Sequence, residues 1–130
     1  MSDRQIGRYF KEHEMECQCG VCLKTIFDAN LIRKLDALRE DLGRPITITS
    51  GYRCKKHNDA VGGSPNSQHL LGKAADIKVD KYKINGKTLP RMTAAELLPY
   101  AEKHGFDGIG LYDWGLHVDV RGYKARWDYR

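Results

Sequence analysis

Two short segments with strict alternation of apolar and polar side chains constrain this chain more than anything else in it. In Ala74 to Val79, the residues Ala75, Ile77 and Val79 fall on one face of an extended chain and Asp76 falls on the other. In Leu116-His117-Val118-Asp119-Val120-Arg121, Val118 and Val120 share one face while His117, Asp119 and Arg121 share the opposite one. Both segments therefore read as strands with a core side and a polar side. Just before the first of them, the polar turn Ser67-Gln68-His69-Leu70-Leu71-Gly72 offers a further imidazole. Two imidazoles and a carboxylate are the protein ligands expected of a catalytic Zn²⁺ site that keeps a fourth position for water. His69, Asp76 and His117 are thus the candidate metal ligands.

The remaining elements are arranged to cover such a sheet. The spacing of Leu31, Leu35, Leu38 and Leu42 predicts a helix over Asp28 to Leu42, with Asp28 as its N-cap and Gly43 just past its end. Ile46 to Thr49 alternates as a strand with Ile46 and Ile48 inward, and continued extension would put Arg53 on the side of Thr47 and Thr49, the ligand side. Lys55 to Val61 reads as a short helix or turn, and Gly62-Gly63-Ser64-Pro65 as a reversing loop. Asn85-Gly86 within Lys81 to Leu89 is a hairpin signal, expected at the rim of the cleft. Thr93-Ala94-Ala95-Glu96 has capping-box spacing ahead of a helix over Ala94 to His104, in which Pro99 predicts a kink or two short pieces. His104 suits the helix C-terminus, and His57 a local hydrogen bond. Ile109 to Tyr112 pairs with Leu116 to Arg121 across the turn Asp113-Trp114-Gly115, which brings Trp114 near His117. The fold class expected is α+β, a short antiparallel sheet with helices on its apolar face and the metal site on its polar face.

The 130 residues fit one domain spanning 1–130, and 41% hydrophobic residues suffice for an ordinary core. Met1 to Arg8 shows no apolar leader, and no run is long enough to span a bilayer, so a soluble protein made in the cytoplasm is expected. The formal net charge of +5 gathers in Lys78 to Arg91 and Arg121 to Arg130, a solvated surface that favours an anionic partner such as a wall polymer or nucleic acid. Cys17, Cys19 and Cys22 crowd into one segment, with Cys54 far away. Reduced thiols, a disulfide from Cys54 to the loop, and a second, structural zinc held by all four remain open, with His13 a substitute for one thiolate.

Ser-x-His-x6-Asp followed by Trp-x2-His-x-Asp resembles the M15 peptidase group, zinc D-alanyl-D-alanine carboxypeptidases and peptidoglycan endopeptidases that share a fold with the hedgehog signalling domain. The resemblance takes in Ile48-Thr49-Ser50-Gly51-Tyr52-Arg53 and Gly62 to Ser67, and runs from about Phe10 to Arg121. It implies zinc-dependent hydrolysis of a peptide bond in the stem peptide of bacterial peptidoglycan, of carboxypeptidase or endopeptidase type. It further implies that Arg53 stabilises a developing oxyanion or holds a substrate carboxylate, and that Ser67 binds the substrate backbone; Trp114 would wall the cleft. With no leader and one small domain, a monomeric phage or prophage lysis enzyme, an endolysin, fits, and so does a cytoplasmic peptide-recycling enzyme.

The general base is less direct. Many relatives carry Glu or Asp three residues before the last histidine ligand, where this chain has Trp114. Asp119, about 6.6 to 6.8 Å along the strand from His117, and Asp113 in the turn are the two candidates. Asp119 is slightly preferred, and its competing reading is a partner that orients His117. The missing acid leaves a zinc-bearing binding module without catalysis as an alternative. A basic nucleic-acid-binding protein with a cysteine knuckle rests only on charge and Cys17 to Cys22.

Overall fold

The computed structural model describes residues 3–22 and 25–130; Met1 and Ser2 of the N-terminal stretch lie outside the described residues, as do Leu23 and Lys24. A short 3₁₀ turn at Glu12–Met15 is followed by α1 (Ala29–Leu42), β1 (Thr47–Ser50) and α2 (Lys55–Ala60). A second 3₁₀ turn, Gln68–Leu71, leads into β2 (Ala74–Lys78). Then come β3 (Tyr82–Ile84), β4 (Lys87–Leu89), α3 (Ala94–Lys103), β5 (Gly108–Tyr112), β6 (Gly115–Asp119) and β7 (Ala125–Asp128). Five strands form one sheet in the order β1-β2-β6-β5-β7. Its pairings are antiparallel except at the last edge, where β7 runs parallel to β5.

Period-two alternation divides the sheet as expected. Ala75, Ile77, Ile109, Leu111, Leu116 and Val118 join the core with Leu31, Leu35 and Leu38 of α1 and Leu97 and Ala101 of α3. The opposite face carries Asp76, Gly110, His117 and Asp119, all on β2, β6 or β5. Asp28 accepts from the amides of Asn30 and Leu31 to start α1, and Gly43 closes it at φ +66°, a left-handed conformation glycine adopts at little cost.

Three local expectations need correction. Pro99 does not divide α3 into two pieces; the helix runs unbroken over Ala94–Lys103. Ala95, whose carbonyl loses its helical partner to the proline, and Pro99 itself are both exposed, on the side of the helix away from the core. The Asn85-Gly86 hairpin forms, with φ of +51° and +75°, but none of its residues lines the cleft. The extended conformation of β1 ends at Ser50 after a register shift between Ile48 and Ser50, so a bulge and turn, not a continued strand, deliver Arg53. The strand β7 was hidden in the basic C-terminal stretch.

Candidate active site

Register places the site. Asp76 on β2 lies directly opposite His117 on β6, with Gly110 of β5 next in the row. His69 comes from the 3₁₀ turn, where the Ser67 hydroxyl accepts the His69 amide at 3.2 Å and Gly72 ends the turn at φ +68°. His69, Asp76 and His117 are all buried, and one ligand atom of each lies within 4.8 Å of the others.

The outer nitrogen of each imidazole is already committed. His69 Nδ1 lies 2.7 Å from the Gly51 carbonyl, which can only accept, so the proton sits there and Nε2 presents its lone pair. His117 Nε2 lies 2.7 Å from Asp119 Oδ2, which leaves Nδ1 as the inward atom. Both inward nitrogens are 3.1 Å from the same oxygen, Asp76 Oδ1. Three electron-pair donors thus converge on one point with no proton of their own to share. A cation fits that donor set, and its chemistry, two imidazoles and a carboxylate, suits Zn²⁺.

Burial works against the Asp76 charge, but the flanking imidazoles of His117 and His69 hold its carboxyl well below the usual range. Burial would lower the His117 pKa, yet the flanking carboxylates of Asp119 and Asp76 raise it above its ordinary value. Asp119, opposed by its own burial, is likewise held low by His117 and Arg121.

Arg53 reaches the same carboxylate from the other side. Its Nη2 donates to Asp76 Oδ2 at 3.3 Å, Nη1 to Asn58 Oδ1 at 3.3 Å and Nε to Ser50 Oγ at 3.2 Å. Asn58, fully buried on α2, also donates to the Ser64 carbonyl at 2.8 Å and so ties the reversing loop to the arginine. Sequence reading passed over Asn58, since only the fold brings it to Arg53.

An open cleft of about 1380 Å³ lies over these groups, bordered among others by Arg53, Ser67, Trp114 and Trp127. Trp114 stacks on Tyr112 with centroids 4.8 Å apart. Trp127 was also missed in the sequence: its ring lies 5.0 Å from that of His117, and its Nε1 donates to Tyr112 Oη at 2.9 Å. Gly110 makes this approach feasible, because a Cβ there would lie 2.2 Å from Trp127 Nε1. Gly110→Ala should therefore cost about 1–3 kcal/mol in a denaturant titration and shift the tryptophan emission. Unchanged stability and emission would show that Trp127 is not packed on that strand.

The two candidate bases stand in different surroundings. Asp119 is completely buried behind His117, and Arg121 grips both its oxygens at 2.7 to 3.1 Å. Asp113 is exposed in the turn, where its carbonyl accepts from Arg91 at 2.6 Å. Neither borders the cleft. Among the other histidines, His104 pairs with Asp41 at 3.0 Å and His13 with Asp3 at 2.5 Å, so His13 does not join the cysteines. The His57 amide donates to Cys54 Sγ at 3.5 Å. Cys17, Cys19, Cys22 and Cys54 form a second cluster, with sulfurs within 4.8 Å of one another.

The family model described as Peptidase M15 matches residues 8–121. Zinc D-Ala-D-Ala carboxypeptidase of Streptomyces albus G is 47% identical over 97 residues, 72% of this chain and 34% of that protein. The chain spans about a third of the length of this curated relative.

Proposed function

The chain belongs to the peptidase M15 family, and on that premise we propose that it is a zinc peptidase hydrolysing peptide bonds in the stem peptides of bacterial peptidoglycan. The observation that carries this reading is the convergence of His69 Nε2, Asp76 Oδ1 and His117 Nδ1 beneath an open cleft, with the Arg53 guanidinium alongside. Zn²⁺ held by these three atoms would supply a Lewis acid for the scissile carbonyl and acidify the attacking water. Arg53 lends a planar pair of N–H donors to the oxyanion that develops, or to a substrate carboxylate. Ser67, whose hydroxyl caps His69, faces substrate from the cleft wall. Trp114 and Trp127 border the space above the ligands. Asp119 we assign to the orientation of His117, and Asp113 to the exposed turn, with no part in the reaction.

No helix of the described residues is long and apolar enough to cross a membrane. A monomer released to the wall during phage or prophage lysis is the biological setting we favour, and the basic surface at Arg121 to Arg130 suits an anionic wall polymer.

Incubation with purified peptidoglycan tests the assignment. Mass spectrometry of the soluble products should show cleaved stem peptides, with free D-alanine marking a carboxypeptidase and severed crosslinks an endopeptidase. A chelator should abolish the cleavage and added Zn²⁺ should restore it. Zinc-loaded protein that binds the wall and cuts nothing would be a binding module instead.

A further inference from the structure

The cysteine cluster is separate from the proposed reaction and is built from two distant parts of the chain. Cys17, Cys19 and Cys22 lie on the segment after the first 3₁₀ turn, and Cys54 caps α2 one residue beyond Arg53. Backbone amides point at the sulfurs. Cys54 N–H donates to Cys17 Sγ at 3.3 Å, Cys22 N–H to Cys19 Sγ at 3.1 Å, and Val21 N–H to Cys19 Sγ at 3.5 Å. Such donors offset negative charge on sulfur and are the usual outer partners of a thiolate ligand. Gly20 makes the turn that aims two of them: it follows Cys19 at φ +77°, although a Cβ there would meet nothing within 4 Å. The position therefore requires glycine for its conformation, not for space.

Distance separates the chemistries open to four gathered sulfurs. Zn–S bonds of about 2.3 Å at tetrahedral angles put sulfur atoms about 3.8 Å apart, within the 4.8 Å that encloses all four here. We propose that Cys17, Cys19, Cys22 and Cys54 hold a second metal ion, a structural Zn²⁺ in a closed all-thiolate site. Four protein ligands fill the coordination shell and leave no position for substrate.

The consequence lies in what the site would join. Tyr52 N–H donates to the Met15 carbonyl at 2.9 Å, and a Cβ on Gly51 would lie 2.6 Å from Met15 Cα, so the two segments already press together. A metal bridging Cys17, Cys19 and Cys22 to Cys54 would pin the turn Gly51 to Cys54. That turn supplies both Arg53 and the Gly51 carbonyl that fixes the His69 tautomer. The ion would thus position the cleft without entering it.

Cobalt substitution tests the site independently of any catalytic role. Co²⁺ in a thiolate site gives an intense near-ultraviolet sulfur-to-cobalt charge-transfer band, which imidazole and carboxylate ligands cannot produce. The wild-type chain should bind about two Zn²⁺, and its Co²⁺ form should show that band. The His69→Ala, His117→Ala double variant should keep about one metal and the band, whereas Cys19→Ser should weaken the band in both backgrounds. Absence of the band from the wild-type Co²⁺ protein would overturn the proposal, as would an intact mass showing the cysteines joined in disulfides. The wild-type spectrum decides the matter even where a variant fails to fold, and a protein with only the thiolate metal would fail the peptidase reading alone.

Discussion

Replacing Arg53 by lysine should lower turnover of a stem-peptide substrate by roughly 10²–10³-fold while zinc still fills the site at saturating concentration. The positive charge survives the change, so loss of charge cannot be the cause. What is lost is the planar fork: Arg53 uses Nη2 on Asp76, Nη1 on Asn58 and Nε on Ser50 at once, and a single ammonium on a flexible stem cannot reproduce that geometry. The division of the effect is informative. A fall in kcat would place the guanidinium against charge that develops in the transition state, and a rise in KM alone would place it on a carboxylate present throughout. Unchanged turnover would remove Arg53 from the mechanism.

The parts of this site that were legible in the sequence are those governed by local periodicity. Asp76 and His117 could be put on one face because Ala75, Ile77, Val118 and Val120 define the other, and a one-residue slip would turn all of them over. The Asp28 cap, the Thr93 and Glu96 capping box and the Asn85-Gly86 turn are short-range chemistry of the same kind.

What was not legible depends on contacts between distant segments. No spacing rule says that the Gly51 carbonyl reaches His69 Nδ1, because a bulge in β1 sets that approach. Trp127 sits in a stretch rich in arginine and aspartate, on an edge strand whose alternation is only partly buried, so its place over His117 follows from the parallel pairing of β7 with β5. The gathering of Cys54 with Cys17, Cys19 and Cys22 likewise needs the turn after β1. His104 was read from the helix terminus alone, and the partner that explains it, Asp41, is on α1.

Changing Asp119 to asparagine should weaken zinc binding by roughly 10–100-fold and leave turnover close to wild type once zinc is saturating. Every lone pair of this carboxylate is in use. Oδ2 accepts from His117 Nε2 and Arg121 Nη2, both at 2.7 Å, and Oδ1 accepts from the Arg121 amide at 3.2 Å and its Nε at 3.0 Å. Gly108 packs so tightly against it that a Cβ there would lie 2.2 Å from Oδ2. A general base must reach its proton directly or through one water, and this group is sealed on the far side of the imidazole. On the assignment proposed above, its effect passes through His117, whose proton it holds on Nε2 so that Nδ1 faces Asp76. Asparagine keeps the shape and one accepting oxygen but loses the charge that makes the imidazole a strong donor. If Asp119 were instead the base, turnover would stay roughly 10²–10⁴-fold down even with zinc at full occupancy, and the acidic limb of the pH profile would vanish. Zinc titrations followed by activity at saturating metal separate the two outcomes. Asp113→Asn should be nearly silent in both measurements, because in that exposed turn it is the backbone carbonyl, not the side chain, that Arg91 engages.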